Sequence, residues 1–317
     1  MLEILKVIRW KNLLFLALVM VLVERLISCA ILAKALFGTV LLPHWVLILL
    51  VLAVVFIAAG GYAINDYFDV RIDAINRPDK LLVTRTLTKQ QAMLTHQILT
   101  VIGVLCGLAV SYKVRSWSLA LIILFVPGML WFYSSSYKRQ FFLGNLIVSL
   151  VVALAPLSVA IADNAYLAHL YGDILQYTPL TRHIWQWIGF ISLFAFLLTL
   201  CREIVKDLQD QEGDREYECH TLPIILGEFR TKMIVSFLLL VACWLIGMWA
   251  FRLMPFDHSF HSPVVRYALF GLIVPILADI YLLLTAKIPS DYRNTQVLLK
   301  FIMFSGVIFL FFIHFQF

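Results

Sequence analysis

Charge is what this chain has least of. Lys, Arg, Asp and Glu make up 14% of its 317 residues, where soluble domains carry about 25%. Apolar residues reach 62% and the mean hydropathy is +0.92, against roughly 45–50% apolar in a soluble domain. A sizeable soluble domain is thereby excluded, and a polytopic membrane protein is left. The five cysteines (Cys29, Cys106, Cys201, Cys219 and Cys243) are scattered and form no C-x-x-C pair, which points to buried thiols rather than a disulfide frame or a zinc site. No Lys/Arg run of the nucleic-acid type occurs, so the formal charge of +6 speaks to membrane topology and not to nucleic acid. No cleavable secretory signal stands out either. The first apolar run passes through Glu24 and Arg25 to about Leu36, too long for a signal core of roughly 7–15 residues, so the first span is expected to be retained.

What is present is a series of apolar runs near the ~20 residues that cross a bilayer. They lie near 13–36, 44–64, 92–111, 118–137, 143–162, 187–206, 231–251, 264–286 and 297–316. All should be helices, because an open sheet edge has no hydrogen-bond partners in lipid. The longest outer loop is expected at about 163–186, with interfacial Tyr166, Tyr171, Tyr177 and Trp185. No soluble linker divides the chain, so residues 1–317 read as one domain. With the N-terminus in the cytoplasm, inner segments and adjoining helix ends hold 18 Lys and Arg residues and outer ones 6. The positive-inside rule therefore predicts that orientation.

Two acidic clusters interrupt this apolar pattern. The first is Asn65-Asp66-Tyr67-Phe68-Asp69-Val70-Arg71-Ile72-Asp73; the second runs from Asp207 through Asp210 and Glu212 to Asp214. Carboxylates beside lipid are costly unless a cation compensates them. Both clusters follow even-numbered spans, so both are expected on the cytoplasmic side, where they can share one ligand. Asn65, Asp69 and Asp73 are spaced i, i+4, i+8 and share a helix face; Glu203, Asp207, Asp210 and Asp214 follow i, i+4, i+7, i+11 and are expected to do the same. Asp66, Asp69, Asp73 and Asp207, Asp210, Asp214 repeat one D-x-x-D-x-x-x-D spacing. Oxygen-only ligands suit magnesium or calcium, and no His within either cluster points to zinc. Cations stand close by in sequence: Arg9, Lys11, Arg71, Arg77, Lys80, Lys138, Arg139, Arg202 and Lys206. Carboxylates that hold metals, with Lys and Arg for the remaining oxygens, are what a diphosphate needs. Glu24 and Arg25 either pair with other helices or face the site. Asn145 reads equally as a packing group or a ligand, and His96 and His220 as loop or interfacial residues.

These residues resemble a known family. Ala63-Ile64-Asn65-Asp66-Tyr67-Phe68-Asp69, with Ile72-Asp73 and Ile75-Asn76-Arg77-Pro78, resembles the first Asp-rich motif of the UbiA superfamily of intramembrane prenyltransferases. Arg202-Glu203-Ile204-Val205-Lys206-Asp207, Asp210, Glu212-Gly213-Asp214-Arg215 and Thr221-Leu222-Pro223 resemble the second. Tyr133-Ser134 with Lys138-Arg139 is similar to the family segment that ends the fourth helix. The resemblance implies an all-α bundle of nine transmembrane helices around a central cavity, capped on the cytoplasmic side by the motif loops. It implies a polyprenyl diphosphate donor, a lipophilic acceptor in the membrane, and two magnesium ions. Asn65, Asp69 and Asp73 would hold one ion, and Asp210 and Asp214 the other, with Asp66 and Asp207 in support. Arg9, Arg77, Lys138 and Lys206, together with Arg202 and Tyr133, would engage the diphosphate. The phrases I-N-R-P-D and R-E-I-V-K-D look most like the digeranylgeranylglyceryl phosphate synthase branch, whose acceptor is a prenylated glycerol phosphate. The alternative acceptor is an aromatic quinone precursor such as hydroxybenzoate, dihydroxynaphthoate or homogentisate. After Arg77-Pro78 this chain departs from the family's usual R-P-x-x-S-G and reads Lys80-Leu81-Leu82.

Two other classes fit less well. A cation-linked transporter would place its acids at mid-membrane rather than at the ends of spans. The CDP-alcohol phosphotransferases resemble this chain only in having Asp-rich membrane motifs; they need a D-x-x-D-G-x-x-A-R element in one block, and no Gly follows Asp69 here.

Overall fold

The computed structural model describes residues 2–36, 42–76, 83–84, 87–250 and 262–314, apart from a few side chains. Among them, nine helices are long and apolar enough to cross a membrane: Trp10–Lys34, His44–Val70, Lys89–Val114, Trp117–Ser135, Leu143–Tyr171, Leu180–Gln209, Glu228–Met248, Pro263–Thr285 and Pro289–His314. The described residues contain no β-strand, only an isolated bridge between Val83 and Leu87. An α-helix makes its backbone hydrogen bonds within itself, the condition that lipid imposes. These helices answer one by one to the nine apolar runs of the sequence.

The differences lie at helix ends. The second helix continues past the bilayer run to Asn76, so the first acidic cluster is helical throughout. The ninth helix starts at Pro289, eight residues before the apolar run. Its polar first turns hide it from a hydropathy reading, yet Asp291 caps it: Oδ2 accepts from the backbone N–H groups of Lys287 at 2.9 Å and Ile288 at 3.2 Å. The outer loop expected at 163–186 is much shorter, because helix Leu143–Tyr171 runs on and Leu180 opens the next, with a 3-10 stretch at Gly172–Tyr177 between them. Small and aliphatic residues such as Ala162, Ala165, Leu167 and Ala168 keep that segment helical despite Asp163 and Asn164.

Two compact units divide the chain: Met1–Lys138 with Ala153–Ser192, and Arg139–Val152 with Leu193–Phe317. In the first unit the second and third spans pack most closely. Small residues let the two backbones approach, as is usual between helices in lipid. A Cβ on Gly103 would lie 2.8 Å from the Ala53 carbonyl oxygen and 2.9 Å from the Ile57 nitrogen. Buried His96 bonds the Gly60 carbonyl through Nδ1 at 2.9 Å and packs its ring against Trp131, so it lies in the packing between spans and not in a loop or at the interface. Thr88 opens the third span with a capping box: its hydroxyl accepts from the Gln91 N–H and the Gln91 side chain accepts from the Thr88 N–H.

In the second unit the seventh, eighth and ninth spans interlock at both ends. Lys232 donates to Glu228 at 2.7 Å and to the Ala286 carbonyl at 2.5 Å, and lies over the ring of Tyr292. The Tyr292 hydroxyl donates to the same Glu228 oxygen at 2.5 Å. Toward the other end, Tyr267 stacks on Phe309 and Phe312 and its hydroxyl meets Ser305.

Candidate active site

Each unit carries one of the acidic motifs. In the first unit, the unbroken helix His44–Asn76 places Asn65, Asp69 and Asp73 at one-turn intervals on one face. Asn65 and Asp69 are buried, at 8% and 4% exposure. The Asn65 amide donates to Asp69 Oδ2 at 2.6 Å, and Lys138, just past the fourth span, makes a short ion pair with the same oxygen. Asp66 faces a neighbouring direction and pairs with Arg9 at 2.9 Å. Arg9 also lies over the ring of Tyr62, 4.8 Å from its centroid, so the guanidinium is held from two sides. Arg9 sits just before the first span in a left-handed conformation, φ 53°, which breaks the helix there and frees the side chain to reach across. Tyr133 is buried near the end of the fourth span. Asp73 belongs to the motif helix, but its side chain, like that of Arg71, is outside the described residues; Arg77 lies outside them entirely.

In the second unit the motif is bent. Helix Leu180–Gln209 stops at Asp210, whose φ of −97° and ψ of 11° turn the chain into the short helix Gln211–Glu216. Glu203, Asp207, Asp210 and Asp214 therefore do not share the face of one straight helix, as the spacing alone predicts. The ladder is bent but not out of register: Asp210 N–H donates to the Lys206 carbonyl at 3.0 Å and Asp214 N–H to that of Asp210 at 3.2 Å. Asp207 Oδ2 accepts from the Asn145 amide at 2.8 Å. Glu203 and Asp214 bear on Asp207 with like charge and Lys206 with opposite charge. Glu203 takes Arg202 at 2.5 Å and Lys206 at 3.9 Å. Asp214 is buried and accepts from the Thr221 hydroxyl at 3.3 Å.

Among the described residues, Arg9 is thus turned onto Asp66, Lys138 onto Asp69, and Arg202 and Lys206 onto Glu203. The sequence leaves Asn145 open between packing and ligation and gives Thr221 no role within its motif phrase; the pairing of Asn145 with Asp207 spans a distance of sequence that no local spacing encodes. Among the described residues no three His, Cys, Asp or Glu side chains converge as a closed metal cage. Magnesium does not need one, since it binds through one or two carboxylates and completes its shell with water and substrate phosphate oxygens. The all-oxygen sets at Asn65–Asp69 and at Asp207–Asp214 have the donor chemistry for it.

The model of the UbiA prenyltransferase family matches residues 26–301, which include both motifs. The chain belongs to this family. This UbiA family member is 30% identical over 271 residues to a digeranylgeranylglyceryl phosphate synthase of Thermococcus gammatolerans, covering 83% of each chain. Among solved structures, it is similar to one of digeranylgeranylglyceryl phosphate synthase in membranes, with a TM-score of 0.65, 20% identity and 97% of each chain covered. It is also similar to a UbiA homolog from Archaeoglobus fulgidus bound to DMAPP and Mg2+, with a TM-score of 0.59 and 16% identity over 97% of this chain and 99% of that one. Both share the all-helical, polytopic fold of this UbiA prenyltransferase.

Proposed function

We propose that the protein transfers a polyprenyl group from an allylic prenyl diphosphate to a prenylated glycerol phosphate, geranylgeranylglyceryl phosphate, and releases diphosphate. The observation that carries this reading is the pair of carboxylate motifs with matching spacing, each with cations already held against its acids. The relatives named digeranylgeranylglyceryl phosphate synthase favour the glycerol acceptor over an aromatic one. The Lys and Arg bias supports a cytoplasmic N-terminus, with both motifs on that side.

Asn65, Asp69 and Asp73 would hold one magnesium ion and Asp210 and Asp214 another; magnesium supplies positive charge where the diphosphate leaves. Asp66 and Asp207 hold the set in place. On substrate binding, Lys138 and Arg9 turn from their carboxylates to phosphate oxygens, with Arg77, Arg202, Lys206 and Tyr133 completing the anion's partners. Those contacts stabilise negative charge as the allylic C–O bond breaks. The acceptor hydroxyl oxygen then bonds to the allylic carbon, and its proton passes to a carboxylate or to the departing diphosphate. Asn145 orients Asp207, so Asn145→Leu is expected to lower kcat about tenfold, roughly 1.4 kcal/mol on the barrier, and to lower the melting temperature as well, because the lost hydrogen bond to a charged group also contributes about 1.5–3 kcal/mol to stability. A normal kcat in that variant would show that Asp207 needs no orientation.

The test of the reaction uses the purified chain in lipid with geranylgeranyl diphosphate, magnesium and four acceptors: geranylgeranylglyceryl phosphate, 4-hydroxybenzoate, dihydroxynaphthoate and homogentisate. Mass spectrometry is expected to find one magnesium-dependent product, from the glycerol phosphate, that EDTA abolishes. Product from an aromatic acceptor alone would move the protein to a quinone branch. Neither product nor diphosphate release, with shorter and longer donors as well, would refute prenyl transfer.

A further inference from the structure

The first unit holds a second set of buried charges, remote from the motif. Glu24 and Ser28 lie on the π-helical stretch Val23–Ser28 of the first span, and Asp163 on the fifth; all three are at 0% exposure. Single π turns inside longer helices are frequent at functional sites. The groups that face Asp163 are Ser28, Glu24 and Arg25. Glu24 is further met by Cys29 Sγ at 3.4 Å and by Arg25 Nε at 2.9 Å, and lies beside the Leu42 backbone N–H and His44. Arg25 Nη2 donates to His44 Nδ1 at 2.5 Å.

Three oxygens in this cluster are buried and complete no hydrogen bond of good geometry, both of Asp163 and Ser28 Oγ, while a fourth, Glu24 Oε2, is met by the Arg25 ion pair. The charges do not balance either. Two carboxylates face one guanidinium, which leaves one negative charge in excess at a depth where uncompensated charge is costly. We propose that Glu24, Ser28 and Asp163 bind one monovalent metal cation of the sodium class. Carboxylate and hydroxyl oxygens suit a hard cation. The single excess charge selects a monovalent ion over a divalent one. A proton on Asp163 would engage two of the three unsatisfied oxygens, whereas a coordinated ion can engage all three together with Glu24. His44 fixes the cluster at the far end of helix His44–Asn76 from Asn65, about 30 Å away at 1.5 Å per residue, so it is separate from the motif carboxylates. An ion there would tie the first and fifth spans together within the first unit.

The experiment compares melting of the full-length protein in lipid nanodiscs in sodium, potassium, lithium and N-methylglucamine chlorides at equal ionic strength. Sodium is expected to raise Tm saturably by about 3–5 °C over N-methylglucamine. Asp163→Asn and Glu24→Gln are expected to lose that rise. Asp210→Asn, in the second motif, is expected to keep it, which separates this ion from any cation at the reaction site. Equal wild-type Tm in all four salts would overturn the proposal in favour of a bound proton or closure by Arg25 alone. A full sodium response in Asp163→Asn would overturn it as well. The wild-type titration decides the matter even where a variant fails to fold.

Discussion

Asp69→Ala and Asp210→Ala are each expected to lower turnover by roughly 10³-fold or more, with the protein still folded. Removal of a single well-placed electrostatic contact typically costs about 10²–10³ in kcat, and each of these carboxylates is proposed to act through a metal that neutralises a leaving diphosphate. The folding side of the expectation rests on their surroundings. Asp69 is held by Asn65 and Lys138, and the Lys138 side chain keeps 23% of its surface, so its ammonium stays solvated when its partner is lost. Asp210 sits at a bend whose backbone angles alanine can adopt. Turnover is read as product per enzyme at saturating donor and magnesium, and folding as the melting temperature of the same preparations. Near-normal turnover in either variant would refute the proposed pair of metal sites. Loss of folding in both would instead make the carboxylates structural.

Gly103→Val is expected to produce the largest loss of stability. The added Cβ would meet the Ala53 carbonyl and the Ile57 nitrogen at 2.8 and 2.9 Å. Both are backbone atoms of the facing helix, which cannot step aside as a side chain can. Overpacking of a tight contact costs about 1–3 kcal/mol, and the valine methyls add to it. Gly189→Ala is the matched control. Gly189 lies inside a helical span with nothing within 4 Å of its new Cβ, and alanine there should gain about 0.5–1 kcal/mol of helix propensity. The two variants are compared by thermal melting in the same detergent. Equal melting temperatures would mean that the second and third spans do not depend on that close approach.

The residues that were legible in the sequence share one property: their meaning is local. Hydropathy located all nine spans because lipid demands long apolar helices, and the 3.6-residue period placed Asn65, Asp69 and Asp73 on one face because the second helix runs unbroken to Asn76. The same reasoning misjudged the second motif, since nothing in the spacing of Asp207, Asp210 and Asp214 reveals a bend at Asp210. The helix start at Pro289 escaped for the converse reason, being polar turns that fold as helix without being apolar, and the extension to Tyr171 escaped because Asp163 and Asn164 interrupt its apolar run. The pairings of Asn145 with Asp207 and of Thr221 with Asp214 depend on how elements meet in space. So does the small-residue seam at Gly103, where the informative quantity is the space left beside a glycine.

The turn between the third and fourth spans has a consequence for how this protein is made. Helix Lys89–Val114 ends at Arg115, left-handed at φ 56°, and Ser116 caps the next helix at once, its hydroxyl accepting from the Leu119 N–H at 3.2 Å. Two residues leave no slack for one helix to enter the bilayer while the other waits outside. The pair is expected to insert as a single hairpin, which in the proposed orientation carries Lys113 and Arg115 across the membrane at its tip. The apolar length of two helices entering together offsets the cost of moving those two charges, which neither span would have to meet alone.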